Sequence, residues 1–160
     1  MKRVDIAISI AALAFTAALT QSAACSAPGA APASGSDAGT AAAGGLTRFQ
    51  IEHGIGPITA PVTLGAVDQA LAAEGLKVFE QKCSACHKMG ERYVGPALAD
   101  VTRRRSPAFI MNMALNPLGM IEKHPETKKL LAEYLIAMPN QNLTPEQARQ
   151  VLEYLRTQVH

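Results

Sequence analysis

From residue 68 onward, apolar residues recur at helical spacing in four stretches. The first opens at Asp68, a good N-cap, and runs to about Lys82 with Leu71, Gly75, Val78 and Phe79 on one face. The second starts at Ser106-Pro107, serine as cap and proline at the first helical position. It carries Phe109, Ile110, Met113 and Ala114 and stops at Asn116-Pro117. A third spans about Pro125 to Ile136, with Leu130, Leu131, Tyr134 and Leu135 apolar, and Met138-Pro139-Asn140-Gln141-Asn142 breaks it. The last opens at Thr144-Pro145-Glu146-Gln147, where Thr144 and Gln147 have capping-box spacing, and buries Val151, Leu152, Tyr154 and Leu155. Strand-like alternation is missing, so the domain reads as all-α. Gly75 costs its helix ~1 kcal/mol relative to alanine. Its place on the apolar face predicts that another helix crosses closely there.

Upstream the pattern changes twice. Residues 1–24 have the form of a signal peptide: Lys2-Arg3, then a run from Val4 to Leu19 that is apolar apart from Asp5, Ser9 and Thr16, then Ser22-Ala23-Ala24. The run is short for a spanning helix, and Asp5 lies inside it. Cys25, followed by Ser26-Ala27-Pro28-Gly29, resembles the lipoprotein signal in which cysteine becomes the lipidated first residue, although Ser22 stands where that signal prefers leucine. Lipidation and ordinary cleavage both stay open. Residues 25–45 are almost all Ala, Gly, Ser, Pro, Asp and Thr, a composition that cannot bury a core and reads as a flexible tether. The domain is then 46–160, and its first part, 46–66, reads as an irregular lead-in punctuated by Gly54, Gly56, Pro57, Pro61 and Gly65.

Composition narrows the reading. Aromatic residues are only 4% of the chain and tryptophan is absent, so the core is modest unless a bulky apolar body is supplied from outside. The net charge of +2 implies no nucleic acid or other polyanion as partner.

That outside body is indicated by Cys83-Ser84-Ala85-Cys86-His87, the pattern of a c-type haem attachment site. Two thiols at this spacing add to the two vinyl groups of one porphyrin, and the adjoining imidazole falls under the iron as an axial ligand. A zinc site needs four ligands, and the remaining cysteine, Cys25, lies in the targeting segment. A thioredoxin-like pair wants a βαβ setting that this sequence lacks. Pro96 lies nine residues past His87, and its carbonyl is a candidate acceptor for the second ring nitrogen; a simple turn is the alternative. Leu98 is then expected on the porphyrin face. His53 fits a surface or core-edge role, and Arg103-Arg104-Arg105 either faces solvent or pairs with a propionate or partner.

Methionine is the usual sixth ligand of an electron-transferring haem and raises its potential. Met111 and Met113 fall within a helix and read as core. Met120 leaves few residues to pass around the haem edge. Met138 sits in an irregular segment, and Pro139 biases it away from helical geometry, so Met138 is the expected ligand. His124 and His160 are outside candidates.

Cys83 to His87, Gly95-Pro96, Met138-Pro139 and the closing helix, in that order, resemble a bacterial class I, single-haem cytochrome c over about 65–160. The resemblance implies several helices wrapped around one covalent haem c. It also implies a crossing of first and last helices at which Gly75, Phe79 and Tyr154 match the family's small and aromatic positions. Glu91 to Pro96, Ile110 to Met113 and Asn140 to Thr144 further resemble small cytochromes associated with nitrous-oxide reductase.

The function implied is a periplasmic electron carrier, not an enzyme, passing single electrons from respiratory-chain donors to a terminal reductase or oxidase. Nitrous-oxide reductase is the acceptor suggested by the narrower likeness, which places the protein in denitrification. A monomer is expected, membrane-held if Cys25 is lipidated. The alternatives are a haem subunit of a larger oxidoreductase, and a peroxidase or gas-binding protein, which would need an open sixth site. Seven Lys/Arg against four Asp/Glu between Glu74 and Arg105 suggest steering of an acidic partner.

Overall fold

The computed structural model describes residues 45–159. The predicted signal peptide 1–24, Cys25, nearly all of the 25–45 tether, and His160 lie outside the described residues. Seven helices follow in order: α1 Arg48–His53, α2 Gln69–Lys82, α3 Val101–Arg104, α4 Pro107–Leu115, α5 Pro117–Lys123, α6 Pro125–Tyr134 and α7 Pro145–Arg156. Among the described residues there is no β-strand, as the apolar spacing predicts.

Local chemistry sets most helix starts. The Asp68 carboxylate accepts from the amides of Ala70 and Leu71, each at 3.0 Å. Ser106 Oγ accepts from Phe109 N at 3.2 Å. Thr144 and Gln147 cap each other at 3.1 and 3.0 Å. Proline stands in the first turn of α4, α5, α6 and α7, where its missing N–H leaves no intrahelical bond unmade.

Three short helices differ from the sequence expectation. The lead-in is not wholly irregular: Thr47 and Gln50 form a second capping box and start α1. Its glycines and prolines, all downstream of His53, mask that signal. Val101–Arg104 makes one turn as α3, and 117–123 forms α5. The third predicted helix ends two residues early, at Tyr134, because Leu135 takes a left-handed conformation with φ 58°.

The core sits where α2 crosses α7. A Cβ on Gly75 would collide with the carbonyl oxygen of Gln150, so backbone meets backbone at that point. One side of the crossing buries Phe79, Val151 and Leu155, with Leu98, Ile110 and Tyr154 packed against them. The Phe79 and Tyr154 rings lie 5.2 Å apart, centre to centre. The other side buries Met111, Ala148 and Leu152 under Ile58, Val62 and Leu64 from the lead-in.

Buried polar groups strap the lead-in down. The Asn112 amide, wholly buried, donates to the carbonyls of His53 (3.0 Å) and Ile58 (2.9 Å) and accepts from Ile58 N (3.0 Å). Asn116 donates to Ile55 O at 3.0 Å. Glu153, 0% exposed, is held at 2.6 Å by both Arg149 and Arg156, and Arg156 continues to Gly65 O. A buried carboxylate persists only when paired and hydrogen-bonded in this way.

Candidate haem site

The chain leaves α2 directly into the C-x-x-C-H turn. Cys83 N and Ser84 N both donate to Phe79 O, and His87 N returns to Cys83 O at 2.9 Å. This tight turn brings both cysteines and the His87 ring onto one wall of a cavity of about 490 Å³. The size is within the ordinary range for sites that enclose a cofactor, roughly 300–1,000 Å³.

His87 is oriented from two sides. Its Nδ1 lies 3.0 Å from Pro96 O, the partner expected from the spacing rather than a simple turn. A carbonyl only accepts, so Nδ1 carries the proton and Nε2 keeps its lone pair for a metal. Gly95 forms the other side. A Cβ there would stand 2.5 Å from His87 Cε1 and 2.9 Å from Nδ1, so only glycine leaves room for the ring. Gly95 N also donates to Cys86 O at 2.8 Å, folding the loop back on the motif.

Burial pushes the Cys83 thiol up to about 11, with the adjacent Cys86 adding to the rise. An unattached Cys83 is therefore a protonated thiol at neutral pH, the poorer nucleophile; a thioether has no such proton to lose.

The opposite wall comes from α6 and the segment after it: Leu130, Leu131, Tyr134, Ile136, Met138 and Pro139. Met138 is half-buried and faces the same cavity as His87. Met120 is elsewhere. It is 0% exposed, packs against Gly54, and its Sδ accepts from Ile55 N at 3.0 Å. His124 is also committed: Nε2 donates to Ile51 O at 3.0 Å and Nδ1 accepts from Glu126 N at 3.2 Å. His53 sits at the core edge, its Nδ1 2.9 Å from Ser106 Oγ. Met111 is core, but Met113, also expected there, lines the cavity instead. Helical spacing places Met113 on an apolar face without saying what covers that face.

Leu98, Pro96, Phe109 and Ile110 complete the apolar lining. The charged side chains on it are Arg104 and Arg105. Arg104 donates to the carbonyls of Ala97 and Ala99, and Arg105 pairs with Glu126 at 3.1 Å over the Phe109 ring. Arg103 is not on the lining and lies 3.6 Å from Asp100. An apolar slot with two thiols at one edge, imidazole and thioether sulfur on its walls and two cationic groups at its margin fits a haem with its anionic propionates. Among the described residues no cluster of three or more His, Cys, Asp or Glu offers a competing metal site.

Comparison with known proteins agrees. The cytochrome c family model matches residues 72–158. A cytochrome c-553-like protein of Synechocystis is 30% identical over 69 residues, 40% of this chain and 66% of that protein's length. The structure of cytochrome c from Rhodothermus marinus superposes with a TM-score of 0.64 at 50% identity, covering 68% of this chain and 93% of that one. An engineered version of the Rhodothermus protein gives a TM-score of 0.64 at 49% identity, covering 68% and 94%.

Proposed function

This chain belongs to the cytochrome c family, and on that premise we propose that it is a single-haem electron carrier with His87 and Met138 as the axial ligands. The observation that carries the reading is a shared cavity: the His87 ring, held by Pro96 O, and the Met138 side chain line the same apolar space. Covalent haem c supplies an iron that changes by one electron between ferric and ferrous states. Cys83 and Cys86 would hold it, Pro96 and Gly95 orient the His87 ring, and Leu98, Ile110 and Val151 would keep the pocket dry. Arg104 and Arg105, the charged side chains on the cavity lining, would be the partners of propionates. Two protein ligands would leave the iron no position for a substrate, which argues for a carrier over a peroxidase or gas-binding protein.

The finer reading is a periplasmic carrier, exported by residues 1–24 and tethered through Cys25 when that cysteine is lipidated. It delivers electrons to a terminal reductase, with nitrous-oxide reductase as the acceptor class suggested by the Glu91-to-Pro96 and Asn140-to-Thr144 phrases. Mixing the reduced protein with candidate reductases and following haem oxidation tests this. Fast oxidation by nitrous-oxide reductase supports it, and oxidation only by an unrelated terminal oxidase overturns the acceptor. Mass spectrometry of the native N-terminus decides the anchor: a diacylglyceryl group on Cys25 supports it and an unmodified terminus overturns it.

One observation favours a second reading, a subunit held in a larger oxidoreductase. Tyr93, Val94, Leu135 and Ile136 are exposed near the cavity mouth, Leu135 at 85%. Apolar side chains so placed suit a permanent interface. Purification from native membranes distinguishes the two: co-purification at fixed stoichiometry indicates a subunit, and recovery alone indicates a shuttle.

A further inference from the structure

The segment bearing Met138 is weakly tied to the rest of the molecule. Among the described residues, side-chain hydrogen bonds of 136–143 stay inside the segment: Gln141 to Pro139 O and Asn142 N to Asn140. Its position therefore depends on the elements at its two ends. The α7 end is secure, locked against α2. The α6 end is not, since α5 is the main helix neighbour of α6 and its apolar residues face the haem cavity.

One side chain from the opposite lip of the cavity reaches the end of α6. Arg92, in the loop between His87 and Pro96, donates through Nη2 to Glu133 O at 2.9 Å and through Nη1 to Glu133 Oε1 at 3.2 Å. Its guanidinium carbon also lies 4.1 Å from the centre of the Tyr134 ring, which lines the cavity. Each contact suits arginine. The Glu133 carbonyl is in the last turn of α6, where carbonyls lack intrahelical partners and a cation is favoured. The planar guanidinium can donate in its plane and stack on an aromatic ring through its face.

We propose that Arg92 is a positioning residue for the sixth ligand, clasping the end of α6 to the His87 loop so that Met138 stays on the iron. The proposal rests on the assignment of Met138 as axial ligand. Arg92 touches neither iron nor methionine; it acts by joining the two lips that carry the two ligands. Its side chain is 55% and that of Glu133 54% exposed, so each contact is individually modest. Three contacts from one group give an expected effect of about three- to tenfold on the population with Met138 detached.

Imidazole as a competing iron ligand reads that population, because it enters only when Met138 leaves, and its apparent affinity scales with the open fraction. The ferric holoprotein is titrated with imidazole while the red charge-transfer band of sulfur-ligated haem is followed, alongside denaturant unfolding monitored by helical circular dichroism. Arg92→Ala should bind imidazole about three- to tenfold more tightly than wild type, with a smaller change in the unfolding midpoint. Arg92→Lys should fall between the two, keeping charge but losing the two-point donation and the stack. Glu133→Gln should shift less than Arg92→Ala, since carbonyl and ring contacts survive. Equal imidazole affinity in wild type and Arg92→Ala overturns the proposal. So does a change in affinity matched by an equal loss of global stability. A wild-type protein lacking the sulfur band overturns the Met138 assignment itself, before any variant is compared, and the clasp with it.

Discussion

The carbonyl of Pro96 and the imidazole of His87 are joined by a 3.0 Å hydrogen bond that spans nine positions of sequence and determines which ring nitrogen is free. It exists because Gly95 lets the chain pass against the ring face. A ring so held is pre-oriented and would serve as a basic ligand to a metal with little further ordering.

Gly95→Ala puts a methyl where the His87 ring now lies. The ring or the loop must move, at a cost of about 1–3 kcal/mol by the usual scale of overpacking. Denaturant unfolding of the holoprotein should show that loss, accompanied by a shifted reduction potential. An unchanged potential with unchanged stability would show that the loop yields freely.

Met138→Ala should abolish the sulfur-to-iron band, lower the reduction potential and admit carbon monoxide to the ferrous protein. Met120→Ala should keep the band and reject carbon monoxide but lose about 2–5 kcal/mol of stability, because Met120 is fully enclosed. Optical spectra of the two variants check both halves. The reverse pattern would place the ligand in α5.

Gly75→Ala drives a methyl into the backbone of α7 at Gln150. The expected result is a destabilisation of about 1–3 kcal/mol or more, despite alanine's better helix propensity. A thermal melt reads it directly. A higher Tm would mean that the two helices separate without penalty.

Glu126 bears on acid stability. Hydrogen bonds from Lys129 and Arg105 hold its carboxyl below the ordinary value of 4.5. A carboxylate with a lowered folded pKa stabilises fully above its unfolded pKa, and that stabilisation is lost as pH falls through the folded value. The pair is partly exposed, so the contribution is under about 1 kcal/mol. Glu126→Gln should thus cost little at neutral pH and narrow its gap from wild type as the solution is acidified through that range. A gap that widens on acidification would contradict this sign.

Acid-acetone extraction of wild type should leave the haem with the polypeptide. Cys83→Ser and Cys86→Ser together should let it pass into the solvent. Colour retained by the double variant would place the covalent bond elsewhere.

Much of the molecule was readable one residue at a time, since the signals are short-range. A C-x-x-C-H turn presents two thiols and an imidazole within five positions, and Asp68, Ser106 and Thr144 each meet backbone amides no more than three residues away. Gly75 marked a helix crossing because a glycine on an apolar face makes little sense alone. The capping box at Thr47 was equally present in the sequence but was obscured by the glycines and prolines behind it. What only the tertiary structure decided are relationships between groups far apart in the chain. Met113 reads as core until the cavity beside it is seen. Pro139 and the length of chain favour Met138 over Met120 from sequence, but only the fold shows the Met120 sulfur engaged by Ile55 across 65 positions and Met138 facing the cavity. His124, an outside candidate for the sixth ligand, and Asn112 instead bond carbonyls of the lead-in that folds over them. Arg92 and Glu133 are unremarkable charges 41 positions apart. Sequence by itself determined the elements and the chemistry each carries, because propensity, capping and attachment spacing act within a turn or two of backbone. Packing decided which of those groups share a cavity, because that depends on how the helices close on one another.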